Sequence, residues 1–284
     1  MKVAVTGATG FIGRHVVAQL ERRGISPTLV CRPGSAVPDR WAGSDLVWID
    51  VATASDDAYE RLGNPQLLIH LAWGGLPHYA SAHHRERELP AQRAFLGGLL
   101  AHGLAALAVT GTCLEYGMQS GPLREEMPTA PVTEYGRAKD DLRRHVERLH
   151  ELRPFNLTWA RLFYLHGEGQ SPRSLVPQLE GAIARGEATF NMSGGEQLRD
   201  YLPVDEAAAY LVELALNGRD NGVVNICSGK PMSVRELAEE VVARHGSPIQ
   251  LNLGYFPYPD YEPMAFWGDR HKLDICLEST DEVI

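Results

Sequence analysis

The sequence has few cysteines and no long apolar run, which are the features that mark disulfide-bonded, cysteine-liganded metal and membrane proteins. Cysteine occurs only 4 times in 284 residues, at Cys31, Cys113, Cys227 and Cys276, and never as a CxxC pair. We therefore expect neither disulfides nor a cysteine-based metal site, and reduced thiols favour a cytoplasmic location. No apolar run reaches the roughly 18 residues that cross a bilayer, so we expect no membrane partner. Met1 leads straight into an apolar run, so we also expect no signal peptide.

The sequence also lacks an excess of positive charge. Its 27 Lys and Arg residues are outnumbered by 36 Asp and Glu residues, and the net charge is −9. Such a balance argues against a nucleic-acid partner, because those proteins need a basic surface. A phosphate-bearing ligand must then be held by local donors. We find no repeats, and the length suffices for one large or two modest domains.

Apolar runs alternate with helical patterns along the first half of the chain. The predicted strands are 2–6, 27–31, 46–51, 66–72, 105–110 and 157–162, and the predicted helices are 11–23, 54–62, 85–102 and 134–152. This alternation predicts crossover connections and a parallel sheet. The expected fold class is α/β: a Rossmann doubly wound parallel sheet (1–165) with a smaller C-terminal α/β substrate domain (166–284), some segments of which can return to the first domain.

The second half predicts a less regular pattern. We expect helices at 175–185, 204–216 and 233–245 and a strand at 223–227. The segment 254–268 is rich in aromatic residues and proline, and we expect it to be irregular.

A glycine-rich turn lies between the first strand and the first helix. Gly7, Gly10 and Gly13 give the spacing GxxGxxG. Glycines let the backbone approach a pyrophosphate, and the free N–H groups of the first helical turn attract the anion. We predict a dinucleotide site there, formed by Gly7, Thr9, Gly10, Phe11, Ile12, Gly13 and Arg14. The alternative is a glycine-rich turn that binds nothing.

The carboxyl ends of the other strands extend this predicted site. In an open parallel sheet, ligands bind beyond those ends. The rule adds Asp50 and Val51 at the end of the third strand, and Leu71, Ala72 and Trp73 at the end of the fourth.

The residue after the second strand bears on the choice of cofactor. Enzymes that use NAD typically place an acid there to bind the ribose 2′-hydroxyl, whereas this chain has Arg32. An arginine pairs well with a 2′-phosphate. We therefore favour NADP(H), with NAD(H) as the alternative if Arg32 is simply a solvated loop residue.

Tyr135 and Lys139 are four residues apart on a predicted helix and face the same way. A nearby ammonium favours a phenolate and lowers the pKa of the tyrosine. Thr112, at the end of the fifth strand, can hydrogen-bond to the same substrate oxygen. These three residues are the predicted catalytic group for acid–base chemistry at a carbonyl or carbinol. The alternative is a tyrosine–lysine pair on an ordinary surface helix.

Five motifs occur in order along the chain: TGATGFIG, GTCLEYG (Gly111–Gly117), Tyr135 with Lys139, Arg199–Asp200, and NICSGKP (Asn225–Pro231). Together they resemble the extended short-chain dehydrogenase/reductases, in the branch that modifies nucleotide sugars. The resemblance covers nearly the whole chain. It implies an NAD(P)-dependent oxidoreductase acting on a nucleoside-diphosphate sugar, and a homodimer formed through helices 85–102 and 134–152.

The resemblance also implies roles for single residues. Tyr135 would be the acid–base residue and Lys139 its partner on the nicotinamide ribose, while Asp50 and Val51 would lie at the adenine. Arg199 would contact the diphosphate of the substrate. The alternative for Arg199 is a surface ion pair with Asp200 or Glu196.

Two departures from the family bear on the substrate. Cys113 and Leu114 stand where the 4,6-dehydratases have the Asp-Glu pair that moves protons at C5 and C6 of the sugar, so dehydration is not expected. Tyr164 stands where many members have asparagine, so the sugar contacts should differ. The predicted substrate residues are Thr112, Tyr164 and Arg199.

We therefore expect NADPH-dependent reduction of a nucleoside-diphosphate 4-keto-6-deoxy sugar at C4, in deoxysugar or surface polysaccharide biosynthesis. One alternative is a nucleotide-sugar 4-epimerase that uses bound NAD. Another is a non-enzymatic NADPH-sensing module, against which the Tyr135–Lys139 pair argues. His78, His83 and His84 do not complete a recognisable metal site, so no metal is expected.

Overall fold

The structure is a computed structural model that describes residues 1–278. The strands are β1 (Val3–Thr6), β2 (Thr28–Cys31), β3 (Leu46–Trp48), β4 (Leu67–His70), β5 (Ala106–Thr112), β6 (Gly121–Leu123), β7 (Asn156–Leu162), β8 (Tyr164–His166), β9 (Thr189–Asn191), β10 (Leu198–Pro203), β11 (Gly222–Ile226), β12 (Pro231–Ser233), β13 (Gln250–Asn252) and β14 (Phe266–Gly268). The helices are α1 (Phe11–Arg22), α2 (Ala58–Arg61), α3 (Leu89–Ala101), α4 (Glu134–Leu152), α5 (Leu175–Ala184), α6 (Val204–Leu216), α7 (Val234–Arg244) and α8 (His271–Glu278). A π-helical turn, His84–Glu88, leads into α3.

Seven parallel strands form the large sheet, in the order β11-β7-β5-β4-β1-β2-β3. In β1, Val5 pairs with Leu29 of β2 on one side and with Ile69 of β4 on the other. Every residue of β1 and β4 is buried, as expected for parallel strands covered on both faces. This sheet confirms the predicted Rossmann-like α/β fold.

A helical layer covers each face of the large sheet. On one face, Val16 and Leu20 of α1 share a core with Leu211 of α6. On the other face, a second core joins Leu96 of α3 and Leu142 of α4. The sheet is therefore sandwiched between two layers, which leaves its carboxyl edge free to form a site.

The residues beyond 165 are divided between the large sheet, with its helical layers, and a small separate core. They supply α6, α8 and β11 to the layers of the large sheet. They also form a small separate core, in which Leu179 of α5 packs with Val241 of α7 near the β9–β13 pair. A three-stranded sheet, β12-β10-β8, is also present. The two-domain division at residue 165 stays a prediction, and its last six residues lie outside the described part of the chain.

Some predicted elements are shorter than expected. The helix expected at 54–62 is reduced to Ala58–Arg61, and the side chains of Ser55 and Asp57 hydrogen-bond to each other just before it, which competes with helix formation. The third strand ends at Trp48 rather than at 51.

The expectation that 254–268 is wholly irregular was wrong at its end. Phe266–Gly268 forms a strand that pairs with β6. Phe266 is buried against Phe163, so tertiary packing sets this strand where the local sequence does not predict one. Within residues 1–278, no helix has both the length and the apolar character needed to cross a membrane.

Candidate active site

Two cavities open at the carboxyl edge of the large sheet. The first, which we call the glycine-turn cavity, has a volume of about 250 Å³ and is lined by the turn after β1 and by the residues that follow β2 and β4. The second, which we call the large cavity, has a volume of about 640 Å³. It lies among α1, the end of β5, α4 and the elements beyond residue 165. Together the cavities can accept a dinucleotide and a second ligand.

The glycines of the turn allow close packing of the backbone. Gly7 has a φ of +68°, and a Cβ there would lie 2.9 Å from the backbone nitrogen of Ala72, so a larger residue would strain the turn. A Cβ at Gly13 would collide with the backbone oxygen of Gly7. The turn therefore has a backbone that only glycine permits, as a pyrophosphate site requires.

Most of the residues predicted for the two ligands line the cavities. The glycine-turn cavity is lined by Gly7, Thr9, Gly10, Arg32, Asp50, Val51, Leu71, Ala72 and Trp73. The large cavity is lined by Phe11, Ile12, Thr112, Tyr135, Tyr164 and Arg199. Gly13, Arg14 and Lys139 are not among the residues that line either cavity. Their contact with a ligand, like that of the other predicted residues, stays a prediction.

Arg14 lies apart from the glycine-turn cavity because its side chain packs beside Gly169. Arg32, by contrast, is exposed on the wall of that cavity. Asp50 accepts a hydrogen bond from the backbone N–H of Ala52 at 3.0 Å. This places an exposed cation and a partly occupied carboxylate on the same wall.

Tyr135 and Thr112 are brought together in the wall of the large cavity. Both side chains line that cavity, and Oγ1 of Thr112 accepts from the backbone N–H of Leu114 at 3.3 Å. Burial raises the pKa of Tyr135, and the nearby Tyr79 adds to this, while its polar neighbour Thr112 opposes it. The phenol is therefore protonated at neutral pH and can donate a proton.

Lys139 lies behind this pair. Its Nζ donates to the backbone oxygen of Thr110 at 2.9 Å and lies 4.0 Å from the centre of the Trp73 ring. Burial lowers the pKa of Lys139 to about 7, against the opposing charges of Glu115 and Glu88.

The expectation that Lys139 lowers the pKa of Tyr135 does not hold in this structure. Both groups are buried, and the loss of water favours the neutral form of each. Desolvation therefore outweighs the attraction between phenolate and ammonium.

Glu115 supports the floor of the site and was missed by the sequence analysis. It is fully buried and accepts from the N–H of Thr112 at 2.9 Å and from Nε of Arg161 at 2.8 Å. It also accepts from Nε1 of Trp159 at 3.1 Å. The T-x-x-E spacing from Thr112 is a capping-box signature, so this residue could have been found.

A second buried network supports the glycine-turn cavity. Nδ1 of His70 lies 2.9 Å from Oγ1 of Thr6, and Nε2 lies 2.6 Å from Oε1 of Gln92. Burial lowers the pKa of His70 to about 3, with a smaller contribution from Lys139, so the imidazole is neutral. Gln92 also donates to the backbone oxygen of Ala72 at 3.0 Å and thereby fixes the cavity wall.

Arg199 has a partner that the sequence did not predict. Its side chain is 2% exposed, and Nη2 lies 2.9 Å from a carboxylate oxygen of Glu262. The alternative of a surface pair with Asp200 or Glu196 was wrong, because Asp200 instead accepts from the backbone N–H of Ser228 at 2.7 Å. Glu262 also accepts from the hydroxyl of Tyr164 at 2.5 Å.

The histidines near the site are engaged in hydrogen bonds. His84 accepts from Nε1 of Trp73 at 3.1 Å, and His83 lies 3.1 Å from a carboxylate oxygen of Glu88. In the part of the chain that the structure describes, no group of three or more His, Cys, Asp or Glu side chains could hold a metal ion.

Comparison with known proteins identifies relatives along the whole chain. The chain is 30% identical over 273 residues to the dTDP-6-deoxy-L-talose 4-dehydrogenase (NAD(+)) of Aggregatibacter actinomycetemcomitans, covering 95% of this chain and 100% of the relative. It is also 30% identical to the dTDP-6-deoxy-L-talose 4-dehydrogenase (NAD(P)(+)) of Kitasatospora kifunensis, covering 97% and 88% of the two chains.

Solved structures agree with these relatives. MoeE5 in complex with UDP-glucuronic acid and NAD superposes with a TM-score of 0.84 at 26% identity, covering 98% of this chain and 93% of that one. The model of the NAD dependent epimerase/dehydratase family matches residues 3–227. The chain therefore belongs to the NAD dependent epimerase/dehydratase family of extended short-chain dehydrogenase/reductases.

Proposed function

We propose that this protein catalyses the NADPH-dependent reduction of a nucleoside-diphosphate 4-keto-6-deoxy sugar at C4. The observation that carries the proposal is that Thr112 and Tyr135 are neighbours in the wall of the large cavity. Phe11 and Ile12, which follow the glycine turn, line the same cavity. A ketone held there lies between a proton donor and the end of a dinucleotide site.

The relatives support C4 of a 6-deoxy sugar as the reacting carbon. Two of them are named as 4-dehydrogenases of dTDP-6-deoxy-L-talose, and the reverse of that dehydrogenation is reduction of a 4-keto-6-deoxy sugar. Cys113 and Leu114 line the large cavity where dehydratases carry acids. A thiol and an isobutyl group suit the methyl group at C6 and cannot supply acid–base chemistry at C5 and C6.

The chain fits a dinucleotide. The glycine turn leaves a space that a Cβ at Gly7 would fill. A dinucleotide held by Gly7, Thr9 and Gly10 would supply hydride chemistry at this site. Tyr135 gives its phenolic proton to the former carbonyl oxygen and regains a proton from solvent, and Thr112 orients that oxygen. Lys139 holds the cofactor ribose.

Arg32 supports NADPH as the cofactor. It is exposed on the cavity wall, where a 2′-phosphate would gain a charge-assisted contact. NAD is the alternative, and the two talose dehydrogenases are named with NAD(+) and with NAD(P)(+) respectively.

A 4-epimerase is the second candidate, because the same Thr112–Tyr135 pair can serve reversible oxidation at C4. The UDP-glucose 4-epimerase of Rhizobium meliloti is 25% identical over 278 residues. A sensing module is disfavoured because the chain keeps both Tyr135 and Lys139.

The test incubates the purified protein with dTDP-6-deoxy-L-talose and either NADP⁺ or NAD⁺. We expect one reduced cofactor to form for each 4-keto sugar, and NADPH to be consumed in reverse. Interconversion of UDP-glucose and UDP-galactose without net cofactor change would instead establish the epimerase.

A further inference from the structure

The side chain of Glu262 lies in the wall of the large cavity. Among the described residues that line this cavity, Glu262 is the only acid and Arg199 is the only lysine or arginine. We propose that Glu262 is a sugar-specificity residue, whose carboxylate accepts hydrogen bonds from the C2 and C3 hydroxyls of the substrate. This inference rests on the proposed function, because it needs a nucleotide sugar in the large cavity.

The carboxylate of Glu262 is held in place but retains free acceptor positions. One oxygen accepts from the Tyr164 hydroxyl at 2.5 Å, and the other lies 2.9 Å from Nη2 of Arg199. Its side chain is 11% exposed. An ionised carboxylate can accept about four hydrogen bonds, so these two partners leave about two positions for a ligand.

Arg199, which holds Glu262, is itself fixed by the protein. Nη1 donates to the backbone oxygen of Leu198 at 2.8 Å. The guanidinium carbon lies 4.5 Å from the centre of the Phe266 ring. A pre-ordered acceptor loses little entropy when it binds a hydroxyl group, which favours selective recognition.

Glu262 also lies near the reacting end of the cavity. The ring of its neighbour Tyr261 lies 6.4 Å from that of Tyr79, which in turn lies 5.6 Å from the ring of Tyr135. Tyr164 packs against the apolar cluster that contains Cys113, the residue after Thr112. A sugar whose C4 reaches Tyr135 is therefore bordered by the Tyr164–Glu262 pair.

The chemistry of the substrate matches this acceptor. A hexose that is joined to the nucleotide at C1, oxidised at C4 and deoxygenated at C6 keeps hydroxyl groups only at C2 and C3. The carboxylate can only accept hydrogen bonds, and these two hydroxyls can donate them. A sugar without a donor at these positions would exclude water from the remaining acceptor positions of Glu262 without replacing its hydrogen bonds, which disfavours binding of that sugar.

The experiment separates this role from simple neutralisation of Arg199. Removing the charge of Glu262 would strengthen the attraction of Arg199 for any diphosphate, with or without a sugar. We therefore compare the Kd of the β-methyl ester of dTDP with the Kd of dTDP-6-deoxy-L-talose, both measured by calorimetry on the protein saturated with NADPH. The two ligands carry the same diphosphate charge, so the ratio of the first Kd to the second cancels an effect on the diphosphate and reports the affinity that the sugar adds.

The expected results concern that ratio. Glu262→Gln should reduce it by about tenfold or more, the usual effect of losing a hydrogen bond to a charged group. Tyr164→Phe should reduce it by a smaller factor because the carboxylate loses one support. Asp260→Asn is the matched control, since Asp260 is exposed and does not line the large cavity, and it should leave the ratio unchanged.

Two results would overturn the inference in distinguishable ways. If Glu262→Gln changes both Kd values by the same factor, Glu262 only neutralises Arg199, and the proposed function stands. If the wild-type ratio is one, the sugar adds no affinity, and the proposed function fails with the inference. Thermal unfolding checks that Glu262→Gln is folded, and if it is not, the ratio for Tyr164→Phe decides.

Discussion

The ammonium nitrogen of Lys139 lies 4.0 Å from the centre of the Trp73 ring. The indole lines the glycine-turn cavity, whereas Lys139 is not among the lining residues. Lys139 is buried beside the indole, and the face of the ring stabilises its cation. The lysine proposed to hold the cofactor ribose therefore lies next to a residue of the cavity wall and has little contact with water.

Enclosing a lysine should make the stability of the protein depend on pH. The pKa of Lys139 is about 7 in the folded protein against an ordinary value of 10.5, so between these values the unfolded chain binds one more proton. The wild-type free energy of unfolding should then rise, relative to that of Lys139→Met, by about 1.4 kcal/mol per pH unit. Denaturant titrations of both proteins from pH 7 to 10 measure this difference. A pH-independent difference would mean that the lysine is not desolvated.

Tyr135→Phe should lower turnover by about two to four orders of magnitude, because it removes the proton donor. The affinity for the cofactor should change little, because Tyr135 lines the large cavity and not the glycine-turn cavity. Steady-state kinetics and cofactor titration check both statements. Tyr59→Phe, on α2, is the control and should keep full turnover. Near-normal turnover by Tyr135→Phe would refute the catalytic assignment.

Arg32→Asp should weaken NADPH binding by about tenfold to a hundredfold, because a charged contact to the 2′-phosphate is lost. Binding of NADH should stay the same or improve. Fluorescence titration of both cofactors into both proteins measures the change. Arg40→Asp reverses an exposed charge outside the cavity and should have no effect. Equal weakening of both cofactors would show that Arg32 does not discriminate, and the epimerase candidate would then move ahead.

Ala94→Arg should convert a homodimer into monomers. The resemblance to the family places α3 and α4 at a dimer interface, and Ala94 is exposed on α3. A long charged side chain there would prevent close packing of α3 and α4 against a second copy. Light scattering at micromolar concentration measures the mass of both proteins. A monomer mass for the wild type would contradict the dimer.

The sequence predicted the parts of the fold that depend on local patterns. The bounds of α4 agree because Thr133 caps its first turn, accepting from the N–H of Gly136 at 3.0 Å. The strands around Val5 agree because fully buried parallel strands are continuous apolar runs. In both cases, the residues that determine the element lie close together in the sequence, so the local pattern is enough to predict it.

The sequence did not predict the contacts that join distant segments. Glu262 lies 98 residues from Tyr164, and its surroundings in the aromatic segment have no periodicity that predicts an inward-facing acid. The sequence also did not predict the pKa shifts of Tyr135 and Lys139, for a related reason. Burial dominates both pKa values, and burial depends on segments that the YxxxK pattern does not contain.

The position of β11 has a consequence for synthesis of the chain. This strand, Gly222–Ile226, forms the edge of the large sheet and pairs with β7. A ribosome must therefore extend the chain past residue 226 before the sheet can be completed. Until then β7, whose buried residues include Trp159, presents an unpaired edge. During that interval the nascent protein is exposed to aggregation and to capture by chaperones.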